Sequence, residues 1–164
     1  MDFDIRHSFQ APAREVACAM LDLDYQRSLD DVAQPARRRI ELQEERPDGT
    51  VLRRTRYELI ASLPRRAQSF LGGAAPAWTE EAVYHPGDLL WEWEVVPHAG
   101  AGLLQARGRI ALQDTPAGSS RTISGRVKVN VPLYGPRVEK VIVQGLKEGY
   151  DREAERLRTW LQRR

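Results

Sequence analysis

Three residues combine proton-moving chemistry with an inward place in the sequence pattern: His7, Tyr57 and Glu153. Phe3, Ile5, His7 and Phe9 alternate with Asp4, Arg6, Ser8 and Gln10, so an imidazole points inward from a first strand. Tyr57 shares the parity of Val51, Thr55 and Leu59 and offers a hydroxyl to the same interior. Glu153 projects into the apolar arc of a C-terminal helix, where an unpaired carboxylate is costly. It therefore sits at an open rim, pairs with an arginine such as Arg53 or Arg126, or serves as a general acid or ligand contact. His7 is either a hydrogen-bonded core histidine, an anchor for a polar ligand group or a proton carrier. Acid–base catalysis requires at least two of the three to meet within hydrogen-bond reach.

Other chemistries find less support. Cys18 is the single cysteine, so the chain has no internal disulfide and no thiolate metal cluster, and in its apolar helical context it reads as a small buried hydrophobe. No Ser/His/Asp or Cys/His arrangement is visible, and no catalytic residue is assigned. His85 and His98 stand beside turn signals without partners at ligand spacing, so neither a metal site nor a cofactor is expected. Arg37, Arg38 and Arg39 pair across one hairpin with Arg53, Arg54 and Arg56, but Glu41, Glu44, Glu45 and Glu58 interleave with them. A solvated, cross-strand-paired face fits better than a nucleic-acid surface.

The elements that must position these residues are legible from periodicity. After the first strand, Val16, Ala17, Met20 and Leu21 recur at helical spacing behind Pro12, and a second short helix covers about residues 24–32. A strand from Arg38 to Glu45, with Ile40 and Leu42 inward, turns at Pro47-Asp48-Gly49 into Val51 to Ile60. On that second strand Arg53 has inward parity, which places it at a rim with its head in water. Leu63 to Gly73 is a short helical excursion in which Phe70 and Leu71, beside Arg65 and Arg66, form a lid, a membrane-touching element or a plain surface helix. Hairpins Ala77–His85/Leu89–Val96 and Leu104–Gln113/Thr122–Val131 follow, and then an amphipathic helix from about Pro136 to Gln162. Its inner arc holds Val138, Ile142, Leu146, Gly149, Tyr150, Leu157 and Trp160. Gly145 and Gly149 mark either close approach of the sheet or cavity space.

A chain of 164 residues with 41% hydrophobic content builds one domain with a real core, and 25 basic against 23 acidic residues gives no mandate for a polyanion. The first residues lack a signal-peptide pattern and no stretch approaches ~18 apolar residues, so a soluble, cytoplasmic protein is expected. A sheet of seven antiparallel strands with one apolar face needs a cover, and only the last helix is long enough.

That order, with Asn130-Val131-Pro132-Leu133-Tyr134-Gly135-Pro136-Arg137-Val138-Glu139 and the Leu63-Pro64 and Phe70-Leu71-Gly72 segments, resembles the helix-grip proteins of the START and polyketide-cyclase (SRPBCC) superfamily. More narrowly, it looks like an uncharacterised bacterial family of that superfamily, a domain of unknown function. The resemblance implies an α+β helix-grip fold over residues 1–164: a curved seven-stranded antiparallel sheet around a long C-terminal helix, with two short helices after strand 1. It also implies a cavity between sheet and helix, used elsewhere in the superfamily for lipids, sterols, quinones or polyketides. The candidate lining on the sheet is His7, Tyr57, Tyr84, Trp91, Trp93, Val127 and Val129, with Phe70 beside it. The helix adds Ile142, Gly145, Gly149 and Glu153. The expected role is a noncatalytic carrier or sensor of a hydrophobic small molecule. The alternatives are a cyclase, dehydratase or isomerase, or a protein-interaction module whose core is filled by its own side chains. A monomer or homodimer without nucleic-acid partner or stable membrane insertion is expected.

Overall fold

The computed structural model describes residues 1–32, 36–60 and 76–163. Strand β1 (Asp2–Phe9) is followed by helices α1 (Ala13–Leu21) and α2 (Leu23–Arg27). Strands β2 (Ala36–Glu45), β3 (Val51–Leu59), β4 (Ala77–His85), β5 (Leu90–Pro97), β6 (Leu104–Thr115) and β7 (Gly118–Val129) lead to helix α3 (Gly135–Gln162). All seven strands join one antiparallel sheet in the order β1-β7-β6-β5-β4-β3-β2. Strands β1 and β2 thus occupy opposite edges although only α1 and α2 separate them in sequence. Those two helices carry the chain across the sheet.

The β6–β7 turn is tight because Thr115 pairs directly with Gly118. At Gly118, with φ of 138°, a Cβ would stand 2.2 Å from the Phe9 carbonyl oxygen, so a side chain there would push β1 off β7. Helix α1 begins under Asp114 of β6, whose carboxylate accepts from the Ala13 amide at 2.7 Å and satisfies an orphan donor of the first turn.

Helix α3 lies over β7 and β1 and against α1. Its start is seated at Gly135, where a Cβ would stand 2.4 Å from the Val129 carbonyl oxygen. Glu139 locks it: one carboxylate oxygen accepts from the Val129 amide at 2.9 Å, the other from the Met1 ammonium at 3.0 Å. These bonds, the Val129 amide first, hold the Glu139 carboxyl below its usual range. The glycine and glutamate of the strand-to-helix motif are thus the two contacts that aim α3.

The expected places of Val138, Gly145, Leu42 and Arg53 need correction. The buried stripe of α3 runs through Gly135, Val143, Ala154 and Leu157, whereas Val138 and Gly145 are exposed. The helix rests on one side of the sheet, so its contact stripe is rotated from the arc centred on its most apolar side chains. In β2 the register slips between Ile40 and Leu42, so Leu42 pairs with outward Arg54 and Gln43 turns inward opposite Arg53. Arg53 itself is buried rather than at a watery rim.

Candidate functional site

The inner face over β2, β3 and β4 is polar at its centre. Register places Thr55 opposite Glu80, Arg53 opposite Ala82, and Tyr57 between Arg38 and Trp78. Tyr57 stacks on Trp78 with ring centroids 5.4 Å apart and planes 7° from parallel. Helix α3 brings Tyr150 and Glu153 toward this group. Burial drives the Glu80 carboxyl above its ordinary range, and the charges of Arg53 and Arg38 only partly oppose it. Burial also raises the hydroxyls of Tyr57 and Tyr150, which the Glu80 carboxylate reinforces. These three side chains nonetheless keep part of their surface accessible.

Both arginines have structural work at this site. Arg53 Nη1 donates to the Met20 carbonyl at 2.9 Å, and Gln26 donates to the same oxygen at 2.6 Å. Gln43 reaches the Leu21 carbonyl at 2.8 Å, so inward groups of the sheet close the carbonyl end of α1. Arg38 does the same for α2, donating to the Gln26 carbonyl at 2.7 Å, to Asp30 at 3.2 Å and to the Gln26 side chain. Arg53 Nε has no hydrogen-bond partner among the described residues. Burial lowers the Arg53 pKa.

A second polar group clamps α3 to β1 and β7. Arg121 is fully buried. It donates to Glu153 at 2.5 Å, to His7 Nδ1 at 3.2 Å and to the Tyr150 carbonyl at 3.4 Å. Its guanidinium also lies over the rings of Phe9 and Tyr150, at 5.6 and 5.9 Å from their centroids. Because Nδ1 accepts from Arg121, the imidazole is neutral and carries its proton on Nε2, which donates to Asp151 at 2.9 Å. Burial holds the His7 pKa down; Asp151 partly offsets this.

Of the residues expected to line a site, Tyr57 and Glu153 join the polar interior, Glu153 through Arg121 rather than Arg53 or Arg126. Arg126 lies outside the sheet and pairs with Asp2 at 2.5 Å. Trp93 stacks on Phe3 at 6.3 Å over Gly108 and Gly125, where Cβ atoms would strike both rings. Tyr84 and Trp91 are buried and stacked at 4.1 Å, with Cys18 and Arg14 of α1 beside the Tyr84 hydroxyl. Cys18 is exposed, not a core side chain. Val127 is buried; Val129 and Ile142 are half-buried. A Cβ on half-buried Gly149 would meet nothing within 4 Å. Gly145 has the same open space but faces outward, which removes it from the inner arc. Phe70 lies outside the described residues.

Sequence reading overlooked Glu80 and Arg121. Parity held the signal for both: Glu80 shares a face with Ala82 and Tyr84, and Arg121 with Ile123. A groove of about 560 Å³ on the outer sheet face is lined by paired charges, including Arg109 and Glu92 at 3.2 Å. Such a face is hydrated and self-satisfied. Among the described residues no cluster of three His, Cys, Asp or Glu could hold a metal.

A family model described as "Protein of unknown function (DUF2505)" matches residues 4–161. The chain belongs to the DUF2505 family. No curated protein matches it. Among solved structures, this DUF2505 chain is similar to TTHA0849 from Thermus thermophilus, 15% identical over 96% of this chain and 97% of that one, TM-score 0.66. It is similar to the Zhui aromatase/cyclase from Streptomyces sp. R1128, 12% identical over 100% and 94%, TM-score 0.65. A START superfamily protein from Mycobacterium smegmatis is 13% identical over 98% and 97%, TM-score 0.57. The likeness gives the DUF2505 chain the helix-grip fold of the START-like proteins.

Proposed function

We propose that this DUF2505 protein binds an amphiphilic small molecule between the sheet and α3, as a carrier or sensor. The observation that carries the reading is the Glu80, Tyr57 and Tyr150 group. All three are hemmed in enough for burial to shift their titration, yet each keeps accessible surface. This combination supports the reading of a space between the sheet and α3 that these side chains would line. Burial favours the protonated form of Glu80, and in that form it and the two phenols would offer donors to a carbonyl or hydroxyl on the ligand. Trp78, Ile142 and the gap before Gly149 would take its apolar body. Native mass spectrometry of protein from a lipid-rich lysate tests this. A stoichiometric small molecule supports the reading; repeated recovery of empty protein, with no lysate extract shifting the melting temperature, ends it.

A second reading, a cyclase-type enzyme, is favoured by Glu80 alone. A carboxyl whose pKa burial raises, beside two phenols, is a candidate general acid, and one structural neighbour is an aromatase/cyclase. Glu80→Gln separates the two. A carrier retains the same ligand, whereas an enzyme accumulates a molecule of different mass.

A further inference from the structure

The start of α3 displays apolar side chains that the monomer leaves uncovered. Leu133 is 93% exposed, Val141 71%, Tyr134 54% and Val138 39%. Scattered exposed leucines and valines need no explanation, but four large apolar groups within nine residues form a patch. At about 100° per residue, Tyr134, Val138 and Val141 share the outward side of the first turns, opposite buried Val143. Leu133 stands at the tip with φ of 65°. A leucine in that region is strained, and its side chain gains no burial in return. Such unreturned strain is a reason to look for function outside the fold.

The charges around the patch are mostly basic, with exposed Glu148, which accepts from Gln144 at 2.9 Å, as the acid two turns beyond Val141. Arg137, Lys140 and Lys147 project from α3 and Lys128 from β7, all exposed; the chain's three lysines are all here. Glu139 is committed mainly to the Val129 amide and the Met1 ammonium and offsets only Lys128 in part. Gly135 and Glu139 also anchor this end of α3, so the patch is presented on a firm base.

We propose that the Leu133–Val141 end of α3 docks on an anionic membrane surface, with Leu133 and Tyr134 entering the headgroup region and Arg137, Lys140 and Lys147 on the phosphates. Apolar side chains framed by basic ones are the chemistry of interfacial binding, and each juxtamembrane cation adds affinity for anionic lipid. A second copy of the chain suits the patch less well. A two-fold contact would set the same cations against each other. Docking through this end of α3 needs no ligand in the interior.

Flotation of the protein with phosphatidylcholine vesicles, with and without phosphatidylglycerol, tests the docking. Binding is expected to the anionic vesicles and to fall steeply with added salt. The pairs Leu133→Asn with Val141→Ser, and Arg137→Glu with Lys140→Glu, should each weaken it about tenfold while leaving the melting temperature within a few degrees. All four positions are exposed, so folding survives. Absence of binding at low salt, equal binding to neutral vesicles, or unchanged binding by both variants overturns the proposal. So does a dimer in analytical ultracentrifugation that the Leu133→Asn, Val141→Ser variant dissolves, which would make the patch a self-interface.

Discussion

His7 and Arg121 show how an apparent catalytic group becomes structural once its partners are known. The imidazole accepts from Arg121 and donates to Asp151, which uses both nitrogens in the neutral form. Its folded pKa lies below the value of 6.5 for a free imidazole, so the unfolded chain binds the proton more readily. The stability from this arrangement is complete above that value and is lost as pH falls through it toward the folded pKa. Urea unfolding from about pH 7.5 to 5.5 should therefore show declining stability in the wild type and a flatter profile in His7→Gln. Coincident slopes would assign the titration elsewhere. Arg121 makes a sharper case. Arg121→Leu leaves Glu153 without its cation and His7 without its donor, and should cost about 3–5 kcal/mol in the same assay. A loss under about 1 kcal/mol would show that the clamp is dispensable.

Local pairing was readable in the residues because its signals are local. Pro47-Asp48-Gly49 and the turn residues of 115–119 mark hairpins that the sheet register reproduces, the second with a tighter turn because Thr115 pairs with Gly118. What lay beyond reach depended on distant contacts. The slip after Ile40 reverses the parity of β2, and nothing in that strand's own alternation announces it. Arg53 looked like a rim residue because the α1 carbonyl that receives it, Met20, lies 33 positions earlier. The helix arc failed for a related reason: amphipathicity names the apolar side, while the seat on β7 and β1 sets which residues are covered. Gly145 makes that error measurable. It is exposed in the helix interior with nothing within 4 Å of its missing Cβ, so Gly145→Ala should stabilise the protein by about 1 kcal/mol. Gly135→Ala should do the opposite, because its Cβ would stand 2.4 Å from the Val129 carbonyl oxygen. Thermal unfolding of the pair checks both signs, and a destabilising Gly145→Ala would return that glycine to a packed surface.

At the scale of the molecule, one asymmetry governs the rest. Helix α3 presses on the β1–β7 edge and on α1, while Arg156 ties its C-terminal half to the Ser28 carbonyl at 2.8 Å and to Asp31 at 3.1 Å. Beneath its other flank lies the face of β3 and β4 that carries Tyr57 and Glu80. Clamped at one edge and at its far end, the helix has Gly149 on the flank toward that face and Gly145 turned outward. This arrangement gives the binding proposal an internal control. Gly149→Trp should push an indole into the interior and abolish ligand occupancy, whereas Gly145→Trp, four residues away on the same helix, should leave occupancy unchanged. Both would be read by native mass spectrometry against the wild type, with circular dichroism to confirm that α3 persists. Equal loss in the two variants would mean that the helix, not a cavity beneath it, holds the ligand. Equal retention would place the ligand away from α3 altogether and leave Glu80 and its phenols as core polar groups.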